Sequence, residues 1–352
     1  MDPKEHQDPE VERTKMSMKA VRIHEHGGPE VMRWEDVDIA PPGPKEVRLR
    51  HTAISLNFSD INLRRGGFYA NQPPPMPLIL GNEAAGVVEE IGLGVTAFRP
   101  GDRVVYAGMR GGLFEDTGAY AEYRNVPEER LIPIPEAIDD RTAATLLVKG
   151  LTAAQIIHTQ YTPRRGDTVL VHAAASGVGL LLCQWVKHLG ATVIGTVGST
   201  EKARLAARYG CDHPVLYRDK DFVSEVRQLC PEGVAAVYDG VGKDTFMASF
   251  ACVRPFARMI NYGNASGHVP PLDIFVLAQQ GSVLVGRPGL TAYTANIALY
   301  HSAAKEVFDM VRSGILHAVV EQSFGLQEAA KAHRLVERGG TIGAVVFLPP
   351  QS

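Results

Sequence analysis

Residues 169–185 read VLVHAAASGVGLLLCQW, and this stretch constrains the fold more than any other. A short apolar run typical of a strand enters small residues, and Gly177 and Gly179 then open an apolar run at helical spacing. A tight turn between a strand and a helix directs backbone N–H groups and the positive end of the helix dipole toward one point. The stretch therefore predicts a turn that binds the phosphates of a dinucleotide, with Ala174 and Ser176 in place of the first two glycines of G-x-G-x-x-G. The hydroxyl of Ser176 is an additional candidate donor.

The context of this turn supports the same fold, because strand-like and helix-like runs alternate from about residue 147 to 309. One helix-like run ends at Gly190 and a second, STEKARLAARYG, begins at a Ser/Thr cap. Strands that alternate with helices form parallel sheets through right-handed crossovers, with helices on both faces. The predicted strands are DTVLVHA, ATVIGTV, HPVLY, VAAVYDGVG, ARMINYG and GSVLVGR.

The flanking segments have a different pattern of apolar and polar residues. Residues 17–145 are rich in short alternating runs such as EVRLRHTAISL, which predict a mainly β unit. After about residue 310 a helix, LQEAAKAHRLVERGG, precedes a further strand, TIGAVVFL. We expect this tail to return to the first unit. The predicted domains are therefore 16–146 together with 310–352, and 147–309, while 1–15 form a disordered tail or an added leader.

Composition excludes several classes of protein. Net charge is −3, so no overall field attracts nucleic acid or an anionic membrane, and no apolar run approaches the ~20 residues that span a bilayer. The cysteines are scattered without a C-x-x-C pair, which argues against disulfides and a cysteine-rich zinc lobe. We expect a cytoplasmic protein without nucleic-acid or membrane partners. The four cysteines are Cys183, Cys211, Cys230 and Cys252.

The second predicted strand indicates which dinucleotide is bound. A site for NAD carries an acidic residue at the end of this strand, about 20 residues after the glycines, where it binds the ribose 2′-hydroxyl. Here the strand ends in Val197, Gly198 and Ser199, and Lys202 follows within one helical turn. Glu201 lies inside the helix rather than at the strand end. A space for a 2′-phosphate beside a cation favours NADPH.

The chain resembles the zinc-free NADPH:quinone oxidoreductases of the medium-chain dehydrogenase/reductase superfamily. The resemblance extends from about Lys19 to Phe347 and is most specific around the phosphate turn. It implies an α/β fold in which a Rossmann doubly wound parallel sheet is inserted in a GroES-like β-barrel catalytic domain. The supporting motifs are HGGPEVM, NFSDINLRRG, GNEAAGVV, PGDRVVYAG, LVKGLTA, YDGVG and NYGNASG.

The resemblance also implies roles for individual residues. Asn57 and Tyr69 match residues that line the substrate cleft, and with Lys149 they are the candidate catalytic residues. Two departures from the family pattern are Asn62, where a tyrosine is frequent, and an insertion before Tyr69. The turn, the strand end and the resemblance together predict cofactor contacts for Phe58, Asn62, Thr152, Ser176, Gly177, Val178, Gly179, Gly198, Ser199, Lys202, Tyr217, Asn264, Val285 and Arg287.

Three positions bear on metal binding. Zinc enzymes of the superfamily carry ligands where this chain has Asn57, Asn82 and Lys149. Amides are poor zinc ligands and an ammonium repels the metal, so we expect no metal. We expect His51 and His172, which stand alone, to be structural. Without a Lewis acid the substrate must disperse the incoming negative charge itself, as a quinone does and as a conjugated enal or enone does next best.

The sequence therefore predicts NADPH-dependent reduction of a quinone by direct hydride transfer. A 2-alkenal or enone reductase with the same cofactor is the near alternative. A non-catalytic NADPH-binding protein, crystallin-like or RNA-binding, and a zinc alcohol dehydrogenase are further alternatives. The exposed edge of the sixth strand, GSVLVGR, predicts a homodimer formed by edge-to-edge pairing.

Overall fold

A computed structural model describes residues 16–67, 74–108 and 116–350 of the chain. The first part is mainly β: a small sheet has the order β2-β1-β4, and a larger one has the order β15-β16-β3-β5-β6-β8, with β7 also paired to β3. Short helix α1 (Phe58–Arg64) follows β3 directly. The strands are β1 (Met16–Ile23), β2 (Met32–Ile39), β3 (Glu46–Leu56), β4 (Leu78–Ile79), β5 (Glu83–Ile91), β6 (Arg103–Ala107), β7 (Tyr123–Pro127), β8 (Ile132–Pro133), β15 (Gln322–Gly325) and β16 (Val345–Leu348).

The second part is a six-stranded sheet of order β11-β10-β9-β12-β13-β14, in which every neighbouring pair is parallel. The chain therefore reverses direction across the sheet next to its first strand, which is the switch point of a doubly wound fold. All six predicted strands are present, so that prediction is confirmed. They are β9 (Thr168–Val171), β10 (Thr192–Val197), β11 (His213–Leu216), β12 (Val234–Asp239), β13 (Val253–Asn261) and β14 (Leu284–Gly286).

Helices cover this sheet because its strands are apolar on both faces: Val169, Leu170 and Val171 are all fully buried. None of the helices in the described ranges is long and apolar enough to cross a membrane. The helices are α2 (Asp140–Gln155), α3 (Gly177–His188), α4 (Thr200–Arg208), α5 (Phe222–Leu229), α6 (Phe246–Ser249), α7 (Phe275–Gln279), α8 (Leu290–Ala295), α9 (Ile297–Arg312) and α10 (Ala329–Glu337).

Helix α2 joins the two parts and continues into one π-helical turn at Ile156–Gln160. It packs on β3 and β5 of the first part and on α3 and α9 of the second. At the other end of the chain, β16 pairs with β3 in antiparallel register, so the C-terminal tail returns to the first sheet. The predicted domain boundaries after residues 146 and 309 fall within α2 and α9 and remain a prediction.

Candidate active site

The predicted phosphate turn lies between β9 and α3. Ala173 has a φ of +53°, a left-handed conformation that turns the chain sharply out of the strand. Ser176 caps α3, and its Oγ accepts a hydrogen bond of 3.1 Å from the backbone nitrogen of Gly179. A methyl group on residue 179 would lie 2.3 Å from the carbonyl oxygen of Ala173. Glycine at 179 therefore lets the helix start close against the turn.

The second glycine of the turn has a different neighbour. A methyl group on Gly177 would lie 2.7 Å from Cδ of Lys149, so the aliphatic stem of that lysine crosses the turn at this point. Val178 follows, partly buried against the core. The turn predicted to hold the cofactor and the lysine predicted to act in catalysis are thus in direct contact.

The residues predicted to surround the 2′-phosphate come together at the end of β10. Ser199 caps α4 by accepting a hydrogen bond of 3.3 Å from the backbone nitrogen of Lys202. Tyr217 lies beside Gly198, because a methyl group there would be 2.9 Å from the tyrosine hydroxyl. We call Gly198, Ser199, Lys202 and Tyr217 the predicted 2′-phosphate pocket; the Tyr217 side chain is 49% exposed.

The charges of this pocket suit an anion. Lys202 donates a hydrogen bond of 2.7 Å from Nζ to the carbonyl oxygen of Gly339. Burial lowers the pKa of Lys202, and the nearby Arg218 guanidinium lowers it further. Since a phosphate dianion beside these two cations would relieve their mutual repulsion, the residues present fit the 2′-phosphate of NADPH.

A second group of predicted cofactor residues lies around the loop after β13. Asn62 of α1 donates a hydrogen bond of 3.0 Å to Oδ1 of Asn264, which connects the first part to this loop. Nη1 of Arg287 donates to Oδ1 of Asn261 at 2.5 Å and to the carbonyl oxygen of Gly263 at 3.1 Å. Arg287 therefore holds the loop that carries Asn264.

The remaining predicted cofactor residues occupy separate elements. Phe58 is the first residue of α1. Thr152 lies on α2 and donates from Oγ1 to the carbonyl oxygen of Val148 at 2.8 Å. Val285 is 39% exposed on β14, the edge strand of the parallel sheet. Tyr69, the third candidate catalytic residue, lies outside the described residues.

Two of the positions that would carry zinc ligands, Asn57 and Lys149, form a buried cluster with Glu83. Nζ of Lys149 donates to Oγ of Ser55 at 2.7 Å, to Oδ1 of Asn57 at 2.8 Å and to Oε1 of Glu83 at 3.2 Å. The other carboxylate oxygen of Glu83 accepts from the backbone nitrogen of Val148 at 2.6 Å. A buried charge needs such partners, and here each ion supplies them for the other.

A second buried carboxyl group lies beside this pair. Oδ2 of Asp60 accepts from the backbone nitrogen of Asn57 at 2.9 Å and from the Tyr120 hydroxyl at 3.2 Å. Oδ1 of Asp60 accepts from Nδ2 of Asn82 at 2.8 Å. Burial raises the pKa of Asp60 to about 7 despite these donors. Asn82 is thus turned toward Asp60 and supports the start of α1.

The two lone histidines are buried and have structural partners. His51 donates a hydrogen bond of 2.8 Å from Nδ1 to the carbonyl oxygen of Ala121, and burial lowers its pKa to about 4. His172 lies between the hydroxyls of Thr196 and Ser249, at 2.9 and 2.8 Å, and burial lowers its pKa to about 4 as well. Across residues 16–67, 74–108 and 116–350, no cluster of three or more His, Cys, Asp or Glu is arranged to hold a metal ion.

Sequence reasoning missed Ser55, Glu83 and Asp60. The signal that could have found two of them is local, since Glu83 follows Asn82 in the GNE motif and Asp60 lies in NFSD. Two charged residues in otherwise apolar or polar-neutral motifs are unusual inside a protein unless they are paired. Glu83 pairs with Lys149, which is 66 residues away, whereas Asp60 accepts hydrogen bonds from Asn82 and Tyr120, so these partners are visible only in the fold.

Comparison with known proteins agrees with this arrangement. Residues 43–136 match the alcohol dehydrogenase GroES-like domain, and residues 177–313 match the zinc-binding dehydrogenase family. A quinone oxidoreductase of Pseudomonas aeruginosa is 42% identical over 94% of this chain and 99% of its own. The chain belongs to the quinone oxidoreductase family of the medium-chain dehydrogenase/reductase superfamily. The resemblance stated from the sequence and the predicted fold class are therefore confirmed.

Two further relatives of the family bear on its chemistry. A 2-haloacrylate reductase of Burkholderia sp. is 42% identical over 95% of this chain and 99% of its own. A crystal structure of the Escherichia coli quinone oxidoreductase complexed with NADPH is 36% identical, covers 94% of this chain and 100% of that chain, and superposes with a TM-score of 0.88. Members of one family thus carry names that refer to two classes of conjugated acceptor.

Proposed function

We propose that this chain is an NADPH-dependent oxidoreductase that reduces quinones by direct hydride transfer without a zinc ion. The observation that carries the proposal is the Lys149–Glu83 ion pair, with Asn57, in direct contact with the phosphate turn through Gly177. A fixed ammonium thus occupies the place where related enzymes hold a metal. The pocket of Gly198, Ser199, Lys202 and Tyr217 supports NADPH as the donor.

The proposed reaction needs little from the protein beyond position and polarity. Bound NADPH would supply a hydride, which is one proton with an electron pair. The quinone gains this hydride, and negative charge develops on its oxygen as the ring becomes aromatic. Hydrogen-bond donors in the cluster of Asn57 and Lys149 stabilise that charge, and solvent provides the proton that completes the hydroquinone. Phe58, Asn62, Thr152 and Asn264 position the nicotinamide in this proposal.

A second class of acceptor is favoured by one observation, the 42% identity to a 2-haloacrylate reductase. A conjugated alkene takes hydride at its β-carbon and leaves negative charge on the carbonyl or carboxyl oxygen. The same donors in the cleft would stabilise either product. Quinones and conjugated carbonyl compounds therefore compete as substrates in this proposal, and the lining of the cleft decides between them.

A panel of acceptors tests the proposal. Purified protein is mixed with NADPH or NADH and with 1,4-benzoquinone, a 2-alkenal, 2-chloroacrylate or a simple aldehyde, and the loss of nicotinamide absorbance is followed. We expect quinone turnover with NADPH at least tenfold above NADH. If only the alkenal or the haloacrylate is reduced, the substrate is a conjugated carbonyl compound and not a quinone. Oxidation of NADPH with none of the acceptors, or stoichiometric zinc in the active protein, would contradict the proposal.

We also propose that the protein is a homodimer paired through the edge of β14. Leu284 is 52% exposed and Val285 39% exposed on this strand, and Ile274 and Phe275 at the start of α7 are more exposed still. Apolar side chains beside an unpaired strand edge favour association with a second copy. Sedimentation equilibrium that gives twice the chain mass supports the proposal, whereas a monomer at micromolar concentration contradicts it.

We further propose that the enzyme works in the cytoplasm. Its four cysteines are all buried and free of disulfides, as suits a reducing compartment. Separation of cells into compartments followed by detection of the enzyme tests this. In the same proposal the unit of residues 147–309 binds the cofactor, and the unit of 16–146 with 310–352 completes the cleft.

A further inference from the structure

The orientation of the Asn57 amide is fixed by its two charged neighbours. Lysine ammonium only donates hydrogen bonds, and an ionised carboxylate only accepts them. Lys149 lies 2.8 Å from one end of the amide and Glu83 lies 2.8 Å from the other. The oxygen of Asn57 must therefore face Lys149 and its nitrogen must face Glu83. An inverted amide would place two donors together and two acceptors together.

The ammonium of Lys149 has no hydrogen left for a substrate. It has three N–H groups, and the structure supplies three acceptors for them, on Ser55, Asn57 and Glu83. The Lys149 side chain is 9% exposed and that of Glu83 is fully buried. Direct donation to a substrate oxygen would require the lysine to break one of these bonds inside the protein.

The amide nitrogen of Asn57 has the opposite property. It carries two hydrogens, and within the described residues Glu83 Oε1 is the acceptor for one of them. Asn57 itself retains 8% exposure at the start of α1. The second amide hydrogen is thus a neutral donor whose direction is set by an ion pair, and it needs no proton transfer in order to act.

We propose that Asn57 Nδ2 donates to the acceptor oxygen on which charge develops, and that Glu83 and Lys149 are positioning residues that hold the amide in the donating orientation. This inference rests on the proposed function. It assigns a role to Glu83, and it reverses the simpler expectation that the lysine donates directly. The Lys149–Glu83 ion pair keeps its own net charge near zero.

The test compares isosteric variants by steady-state kinetics with NADPH and the best acceptor of the panel. Asn57→Asp keeps an oxygen for Lys149 but removes both amide hydrogens. We expect its kcat to fall at least 50-fold while KM for NADPH stays within threefold. Glu83→Gln removes the acceptor that fixes the amide, and we expect kcat to fall at least fivefold with KM for NADPH again unchanged.

Asn296→Asp is the matched control. Asn296 caps α9, accepts from the backbone nitrogen of Leu299 at 3.0 Å and is exposed, and aspartate caps a helix equally well. We expect this variant to keep the kcat of the unaltered protein. Melting temperatures of all variants are measured beside the kinetics. If Asn57→Asp does not fold, the kcat of Glu83→Gln tests the inference.

The outcomes separate this inference from the proposed function. If the unaltered protein is active and Asn57→Asp or a folded Glu83→Gln retains kcat within threefold, Asn57 is not the donor or Glu83 does not position it, and the inference fails alone. If the unaltered protein oxidises NADPH with none of the acceptors, both proposals fail. A loss confined to KM for NADPH would show that the cluster supports the cofactor turn, which also overturns the inference.

Discussion

Replacement of Lys202 by alanine should weaken binding of NADPH far more than binding of NADH. In the structure Lys202 lies in the first turn of α4, after its cap Ser199, and its ammonium donates to the carbonyl oxygen of Gly339. The variant loses one charged hydrogen bond to the 2′-phosphate, while NADH offers no phosphate there. Its effect is therefore specific to one cofactor.

The magnitude follows from the number of bonds that are lost. A hydrogen bond between charged groups contributes about 1.5–3 kcal/mol. Lys202 is only half-buried and must first release Gly339, so we take a value near the lower half of that range, about 2 kcal/mol. Since about 1.4 kcal/mol corresponds to tenfold in an equilibrium constant, Kd for NADPH should rise roughly 30-fold. Kd for NADH should change less than about twofold, because no bond to it is removed.

The assay is fluorescence titration of each cofactor at one fixed ionic strength, because salt screens the attraction of a phosphate. Arg204→Ala is the control, since Arg204 lies on the same helix but is exposed, and its removal should leave both constants unchanged. Equal losses for NADPH and NADH would refute the reasoning and would place the 2′-phosphate elsewhere.

Three further outcomes are expected. Gly179→Ala brings a methyl carbon to 2.3 Å from the Ala173 oxygen, so the free energy of unfolding in urea should fall by about 1–3 kcal/mol, and an unchanged value would show that the turn yields easily. His51 and His172 have pKa values of about 4 in the folded protein, below the 6.5 of the unfolded chain. Their contribution to the free energy of unfolding is therefore fully present above pH 6.5 and is lost as the pH falls toward 4. Each histidine contributes on the order of 3 kcal/mol to that loss. The melting temperature of a His51→Gln variant should therefore fall less steeply with acid than that of the unaltered protein, and an equally steep fall would refute the lowered pKa of His51. Leu284→Asp places charge on the exposed edge of β14 and should yield monomers in sedimentation, with a persistent dimer arguing against pairing at that edge.

The cofactor-binding half of the fold could be predicted from sequence because its signals are local. Each strand of the parallel sheet is a short apolar run, and the turn at Gly177 and Gly179 marks where the first of these strands passes into a helix. Helix α2 was missed for a physical reason: from Ala143 to Gln155 every position except Thr152 is buried, so this part of the helix shows no polar face for a periodic pattern to reveal.

The candidate site could be predicted only in part. Asn57 and Lys149 were found through the positions of absent metal ligands. The sequence could not show that the Asn57 amide and the Lys149 ammonium belong to one cluster. That cluster joins β3, β5 and α2, and its members meet only when α2 packs on the sheet. The orientation of an amide depends on such neighbours, and no local pattern encodes it.

The contact between Gly177 and the stem of Lys149 makes two tasks inseparable. Any side chain at residue 177 would push the lysine away from its three acceptors and, in the same movement, crowd the space needed by the cofactor phosphates. A search for altered cofactor preference at this turn will therefore produce variants whose chemistry has failed for reasons unrelated to affinity. Changes at the far end of the binding cleft, beside Tyr217, escape that linkage.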